Sequence, residues 1–266
     1  MKKLMLLMSV LFLFSCSTSE DGEGDDQNVA DAKGKLLKSV TEVNESSGSL
    51  FCAFYYEDNI LMKYNYGENG FYVQRYQLAY EDKKIKRLAF DEIKYDQAEK
   101  EDFSYDYNFT NNPNTETISY SNNSIFYQSR YRDYTYNLSN QNQVITILED
   151  SSLEVEFTYS GNQVVKQKTY KYSSNTDYTF TVDDKINPFY ELYVNFGFVD
   201  DYACPFDGHA QLYYNLSSHN ITKVYKDGTL LYSFIYQYDS ENYPTSVVAY
   251  DHPRNETRQH TFTYVN

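Results

Sequence analysis

Residues 54–66 read FYYEDNILMKYNY. Phe54-Tyr55-Tyr56 and Tyr64-Asn65-Tyr66 set aromatic side chains at every second position or closer, and Glu57-Asp58-Asn59 separates the two runs. Period-two aromatic and β-branched patterning belongs to a strand with one covered face, and a short Asp/Asn segment between two such runs makes a hairpin turn. The same alternation returns at Tyr105-Asp106-Tyr107, Tyr134-Thr135-Tyr136, Tyr170-Lys171-Tyr172 and Tyr236-Gln237-Tyr238. Tyrosine, with 31 residues, replaces the absent tryptophan as the bulky residue of the chain. Cross-strand tyrosine ladders explain this distribution better than a stacking platform for sugars or bases.

Extending outward, strands are predicted at Lys35–Val43, Leu50–Tyr56, Ile60–Tyr66, Phe71–Tyr80, Lys84–Glu92, Asp102–Phe109, Thr115–Tyr120, Ser124–Asn137, Gln143–Leu148 and Leu153–Tyr159. Others follow at Gln163–Tyr172, Asp177–Val182, Ala210–Asn215, Ile221–Tyr225, Leu230–Tyr238, Thr245–Tyr250 and Thr257–Val265. No segment shows helical spacing with caps at both ends. The fold class is therefore all-β, a many-stranded antiparallel meander. A sheet this wide must curl into a barrel or split into layers, and a barrel-like sheet is the expectation. Lys63, Arg75, Lys86, Glu92, Arg130, Glu154, Glu156 and Lys171 fall on both phases of the alternation, which leaves no continuous lipid-facing band and predicts a soluble barrel. A recurring unit runs through FYYEDNILMK, YQLAYEDKKIKRLAF, FTYSGNQVVKQK, LYYNLSSHNITKVY and YQYDSENYPTSVV: an aromatic strand, a turn of Asp, Asn or Gly, then an apolar residue that opens the next strand. Its spacing varies too much for a tidy solenoid.

At the start, Lys2-Lys3 and the apolar run Leu4–Phe14 precede Ser15-Cys16. The run is about half of what a spanning helix needs and reads as a secretory signal. The join Leu13-Phe14-Ser15-Cys16 resembles the lipobox of bacterial lipoproteins, which implies residues 1–15 as signal peptide and acylation of Cys16. Residues 16–34 hold six acids, including Glu20, Asp21, Glu23, Asp25, Asp26 and Asp31, ahead of one base, Lys33, and read as a disordered tether. The tether also resembles the acidic export signal of Bacteroides-type surface lipoproteins. Residues 35–266 form a single β-rich domain.

Removing Lys2 and Lys3 with the signal takes the formal charge from −15 to −17. So acidic a chain excludes nucleic acid as a partner class, since phosphate binding requires a basic face. No G-x-S-x-G elbow, H-E-x-x-H pair, Gly-rich phosphate loop or C-x-x-C motif is present, so no catalytic residues and no cofactor are assigned. The least periodic stretch is Asn187–His209, NPFYELYVNFGFVDDYACPFDGH. Irregular excursions beside a regular sheet carry binding groups more often than the sheet itself, which makes Tyr193, Phe196, Phe198, Tyr202 and Phe206 the candidate ligand contacts. Asp200, Asp201, Asp207 and His209 lack metal-loop spacing and read as a solvated acidic loop, with no metal expected. His219, His252 and His260 are isolated and read as surface residues. Cys52 and Cys204 are a candidate disulfide in an oxidising compartment, with Cys52 as a small buried apolar residue the alternative.

The Cys16 lipobox with its acidic spacer, Asn187-Pro188-Phe189-Tyr190, LSSHNIT at Leu216–Thr222 and YQYDSENYPT at Tyr236–Thr245 together resemble a family of Bacteroides-type lipoproteins of unknown function, described as having a porin-like fold. A looser similarity links the tyrosine turns to tyrosine-aspartate repeat shells. The family resemblance implies a barrel and an outer-membrane, lipid-anchored location, with the cell surface favoured over the periplasmic face, and implies no activity. Two roles follow from the residues. One is a non-catalytic module that binds an extracellular ligand or envelope protein. The other is an assembly factor that pairs through a sheet edge, and a β-rich hydrolase stands third.

Overall fold

The computed structural model describes residues 34–43, 50–68, 72–81, 84–94, 114–121, 123–128, 132–171, 174–196 and 212–265. Its strands are β1 (Leu37–Glu42), β2 (Leu50–Glu57), β3 (Ile60–Glu68), β4 (Tyr72–Glu81), β5 (Lys84–Lys94), β6 (Asn114–Tyr120), β7 (Ser124–Gln128) and β8 (Asp133–Leu138). They continue as β9 (Val144–Glu149), β10 (Ser152–Ser160), β11 (Gln163–Lys171), β12 (Ser174–Ile186), β13 (His219–Lys226), β14 (Thr229–Tyr238), β15 (Pro244–Asp251) and β16 (Glu256–Tyr264). Every strand pairs antiparallel with its neighbours in sequence, and β1 pairs with β16 from Leu37↔Tyr264 to Glu42↔His260, so the sheet is a closed barrel. Ser39 and Thr263 share a hydroxyl hydrogen bond of 2.7 Å across that seam. Between β12 and β13 the chain forms helix α1 (Pro188–Phe196) and a 3₁₀ turn at Tyr214–Leu216.

The alternation read from the sequence becomes an inside and an outside. On β14, Tyr232 and Phe234 are buried within the barrel, while Ile235 and Gln237 are exposed. The buried side chains, from Leu37 and Val40 on β1 through Phe54, Tyr64, Ile147, Phe157 and Val224 to Phe262 on β16, form one apolar cluster. Each large member contributes about 1.5–3 kcal/mol by leaving water. Inside, the rings of Tyr64 and Tyr76 stack at 4.3 Å and 2°, and Phe54 continues the ladder 6.2 Å from Tyr64. Outside, Glu156 pairs in register with Lys168, and Lys166 Nζ meets Asp177 Oδ2 at 2.9 Å. A membrane barrel turns its apolar side chains to lipid and its polar ones inward. Here the polarity is reversed, as in a soluble barrel.

One end of the barrel follows a repeated rule. Even-numbered strands run toward it and odd-numbered strands start from it. At seven of the eight places where an even strand meets the next odd strand there, the odd strand carries one extra residue: Lys38, Met62, Lys86, Ile145, Val165, Thr222 or Thr245. The extra residue interrupts the ladder and leaves a backbone group to be satisfied some other way. Tyrosine hydroxyls do this. Tyr56 donates to Leu37 O (2.8 Å), Tyr80 to Leu61 O, Tyr120 to Ile85 O (2.9 Å), Tyr159 to Val144 O (2.8 Å), Tyr236 to Ile221 O (3.2 Å) and Tyr264 to Pro244 O (2.8 Å). Each acceptor is the residue just before the extra one. The tyrosine lies on the following even strand, so every bond ties two adjacent strands together. Burial pushes the phenols of Tyr56, Tyr80, Tyr120, Tyr159 and Tyr264 upward, which keeps them as donors. Four of the five recurring units of the sequence supply a tyrosine of this girdle, Tyr56, Tyr80, Tyr159 and Tyr236.

Three expectations are corrected. The predicted strand Ser124–Asn137 is two paired strands, β7 and β8, with Tyr127 and Tyr134 stacked at 5.9 Å across the hairpin. The predicted strand Ala210–Asn215 holds no strand at its described residues and runs into the 3₁₀ turn, where backbone hydrogen bonds stay local. Helix α1 stands where no helix was expected. The predicted strand Asp102–Phe109 lies outside the described residues.

Candidate functional site at the plugged end of the barrel

Asn187 and Pro188 start α1. The Asn187 side chain, 3% exposed, accepts from Phe189 N at 3.0 Å and donates to Tyr214 O at 2.7 Å and Ser217 O at 2.8 Å. It therefore caps the helix and fastens it to the 3₁₀ turn, while Pro188 has no N–H to satisfy in the first turn. Phe189, Leu192 and Phe196 give α1 its buried face. Phe189 packs edge-on to Phe262 of β16 (6.3 Å), and Phe196 lies against Tyr56 of β2 (6.2 Å). From the second segment, Tyr213 meets Phe157 of β10 at 5.5 Å and Tyr214 meets Phe234 of β14 at 5.8 Å. These contacts reach well-separated parts of the wall, so α1 and the 3₁₀ turn lie across the girdled end and plug it.

The first described residues enter the same end. Gly34 has φ +99°, a left-handed conformation suited to glycine. A Cβ there would lie 2.3 Å from Tyr243 Oη and 2.5 Å from Glu191 Oε1. Lys35 N donates to Tyr243 Oη at 3.0 Å, and Tyr243 Oη donates to Glu191 Oε1 at 3.0 Å. The Lys35 ammonium is engaged by Asp239 Oδ2 at 2.7 Å and by Glu241. That ammonium holds Asp239 below its ordinary carboxylate value, and burial pushes Tyr243 up to about 12. Glu191 is the outlier. Burial raises it to about 7 against the pull of Tyr243, and its Oε2 is buried without a hydrogen-bond partner among the described residues.

A second polar network holds the irregular end of β12. Tyr238 donates to Asp183 Oδ2, Lys185 N and Asn220 N donate to Asp183 Oδ1 at 2.9 and 3.2 Å, and Asn220 Nδ2 donates to Ile186 O at 2.9 Å. The bonds lie where the β12–β13 register shifts between Val182 and Ile186. They replace ladder bonds there, a structural task.

Of the candidate ligand contacts, Phe196 is 6% exposed and Tyr193 gives its hydroxyl to Asn142 O in the β8–β9 connection. Both are committed to the plug. Phe198, Tyr202 and Phe206 lie outside the described residues, as do Asp200, Asp201, Asp207, His209, Cys204 and Cys16. Cys52 is a fully buried free thiol, with burial pushing its pKa upward. The surface reading of the histidines needs correction at two positions. His260 faces inward at 0% exposure and burial holds it down to about 4, while His219 is half-buried, with Nδ1 within 2.8 Å of Gln163 Nε2. His252 is exposed beside Ser233, 2.9 Å from its hydroxyl. Among the described residues no three His, Cys, Asp or Glu side chains converge as metal ligands. The Glu191–Tyr243–Lys35 network was missed because its members are 52 and 208 residues apart in sequence.

No family model matches the chain, and no curated protein matches it. Among solved structures, the chain is similar to a porin-like protein from Bacteroides uniformis at 15% identity and a TM-score of 0.46, covering 87% of this chain and 98% of that one. It is also similar to a porin-like protein from Bacteroides vulgatus at 8% identity and a TM-score of 0.39, covering 87% and 99%. Both are described in the terms that the sequence resemblance implied.

Proposed function

We propose that this chain is a lipid-anchored, non-catalytic envelope protein that presents the end of its barrel opposite α1 to an extracellular ligand or envelope partner. The observation that carries this reading is where the chain joins the barrel. Gly34 and Lys35 are bonded into the plugged end, so the chain enters the barrel there and not at the opposite end. The reversed polarity supports a barrel that stands in water rather than lipid, and an interior filled with apolar side chains supports a scaffold rather than a channel. Tyr193 and Phe196 serve closure, so these two of the five candidate contacts are not assigned to binding. Pairing through a sheet edge loses its support, since a closed barrel has no free edge.

Protease treatment of intact cells tests the location, with an antibody to residues 35–266 and a periplasmic protein as control. Loss of the signal from intact cells is expected, and protection until lysis overturns the surface assignment. Cys16→Ala is expected to move the protein from the membrane fraction to the soluble fraction, and retention in the membrane refutes the acyl anchor.

A further inference from the structure

We propose that Glu191 is a proton-operated latch between the plug helix and the point where the chain joins the barrel: neutral, it keeps Gly34 seated on α1, and ionised, it drives the two apart. The geometry gives a carboxylate little help there. Among the described residues, Oε1 has one donor, Tyr243 Oη at 3.0 Å, and Oε2 is buried with no partner. Gly34 closes the site so tightly that an added Cβ would stand 2.5 Å from one oxygen and 2.8 Å from the other. A buried charge with a single neutral donor must regain water, and lifting Gly34 or turning α1 admits it.

The surrounding groups do not supply the missing charge. From the segment before β1, Lys35 turns its ammonium to Asp239 and Glu241, 5.5 Å over the Tyr243 ring, and gives its backbone N–H to the Tyr243 hydroxyl. From the β14–β15 connection come Tyr243 and Asp239, a neutral phenol and an anion. From β2 and β16 come Tyr56 and Tyr264, both phenols pushed upward by burial with an added push from Glu191 itself. Among the described residues the site is therefore built from neutral donors, negative neighbours and one ammonium already paired with two carboxylates. Its preference for the neutral acid agrees with the upward shift to about 7. A carboxyl raised on folding contributes stability that is complete below its ordinary value of 4.5 and is lost as pH rises through about 7.

The test is amide hydrogen exchange on the full mature chain at pH 5 and pH 7.5, corrected for intrinsic rates, with the β15–β16 ladder as internal reference. The opening of α1 and of the Gly34–Leu36 segment is expected to increase roughly tenfold or more relative to the ladder across that range, and Glu191→Gln is expected to remove the difference. Equal pH dependence in both proteins, or none in the wild type, overturns the latch. Carboxyl-¹³C titration of the wild-type protein decides it independently should Glu191→Gln not fold. A Glu191 resonance titrating near its ordinary value overturns the proposal, and one titrating near 7 supports it.

Discussion

The two ends of the barrel are built by different rules. At the plugged end, register shifts, buried tyrosine hydroxyls and a helix converge, and seven of eight strand meetings carry the extra residue. At the opposite end, the described connections include the two-residue turns Asp150-Ser151 (φ 48° and 69°) and Asp227-Gly228 (φ 48° and 80°), with both residues left-handed as a tight hairpin requires. Register shifts there fall only at Leu153/Val155 and Val224/Tyr225 among the described strands. Asp58-Asn59 makes the same kind of turn at the plugged end, so the contrast among the described residues lies in the register shifts and the tyrosine hydroxyls rather than in the turns.

The sharpest way to break this contrast is to remove the plug from inside. Phe189→Ala is expected to cost about 3–5 kcal/mol in urea unfolding, because its 2% exposed ring leaves a cavity against Phe262. A loss below 1 kcal/mol would show that the barrel end does not rely on α1. Next come the girdle hydroxyls. Tyr80→Phe and Tyr159→Phe are each expected to cost about 1–2 kcal/mol, since each leaves a carbonyl beside a register shift without its donor. Tyr250→Phe, outside the girdle on β15, is the control and should change stability by less than about 0.5 kcal/mol.

At the far end, Gly228→Ala should cost about 1 kcal/mol through its φ of 80° alone, because nothing stands within 4 Å of an added Cβ. The same change at Gly34 meets Tyr243 and Glu191 as well, so amide exchange in α1 should rise with Gly34→Ala and stay unchanged with Gly228→Ala. A further effect is confined to acid pH. His260 is buried with its pKa lowered to about 4, so the neutral form is favoured on folding, and its share of stability is lost as pH falls from about 6.5 toward 4. His260→Gln should flatten that part of the acid limb in urea midpoints, and an unchanged limb would mean the imidazole titrates as if exposed.

Much of this architecture was legible in the residues. Period-two tyrosine placed most strands, and Asp58-Asn59 and Asp227-Gly228 marked turns that the structure confirms as left-handed pairs. Helix α1 was missed because its nine residues carry Tyr, Val and Phe that also suit a strand, yet Asn187-Pro188 is an N-cap followed by proline at the first helical position and was the available signal. The girdle was visible only as a loose repeat. Period two says which face a tyrosine takes, whereas the acceptor of its hydroxyl depends on register, and one extra residue changes register without changing composition. His260 illustrates the same limit: its alternation places it on a face, and only closure of β1 against β16 makes that face the interior.

That seam also sets an order in time. Leu37–Glu42 has its partner in Glu256–Tyr264, more than two hundred positions later, and Val265 N donates to Leu36 O at 2.9 Å to finish the join. A chain delivered N-terminus first therefore carries an unpaired β1 edge until its last strand arrives. Hairpins pair locally on the way, whereas joining the last strand to the first closes the longest loop in the sheet and carries the largest loop-closure cost.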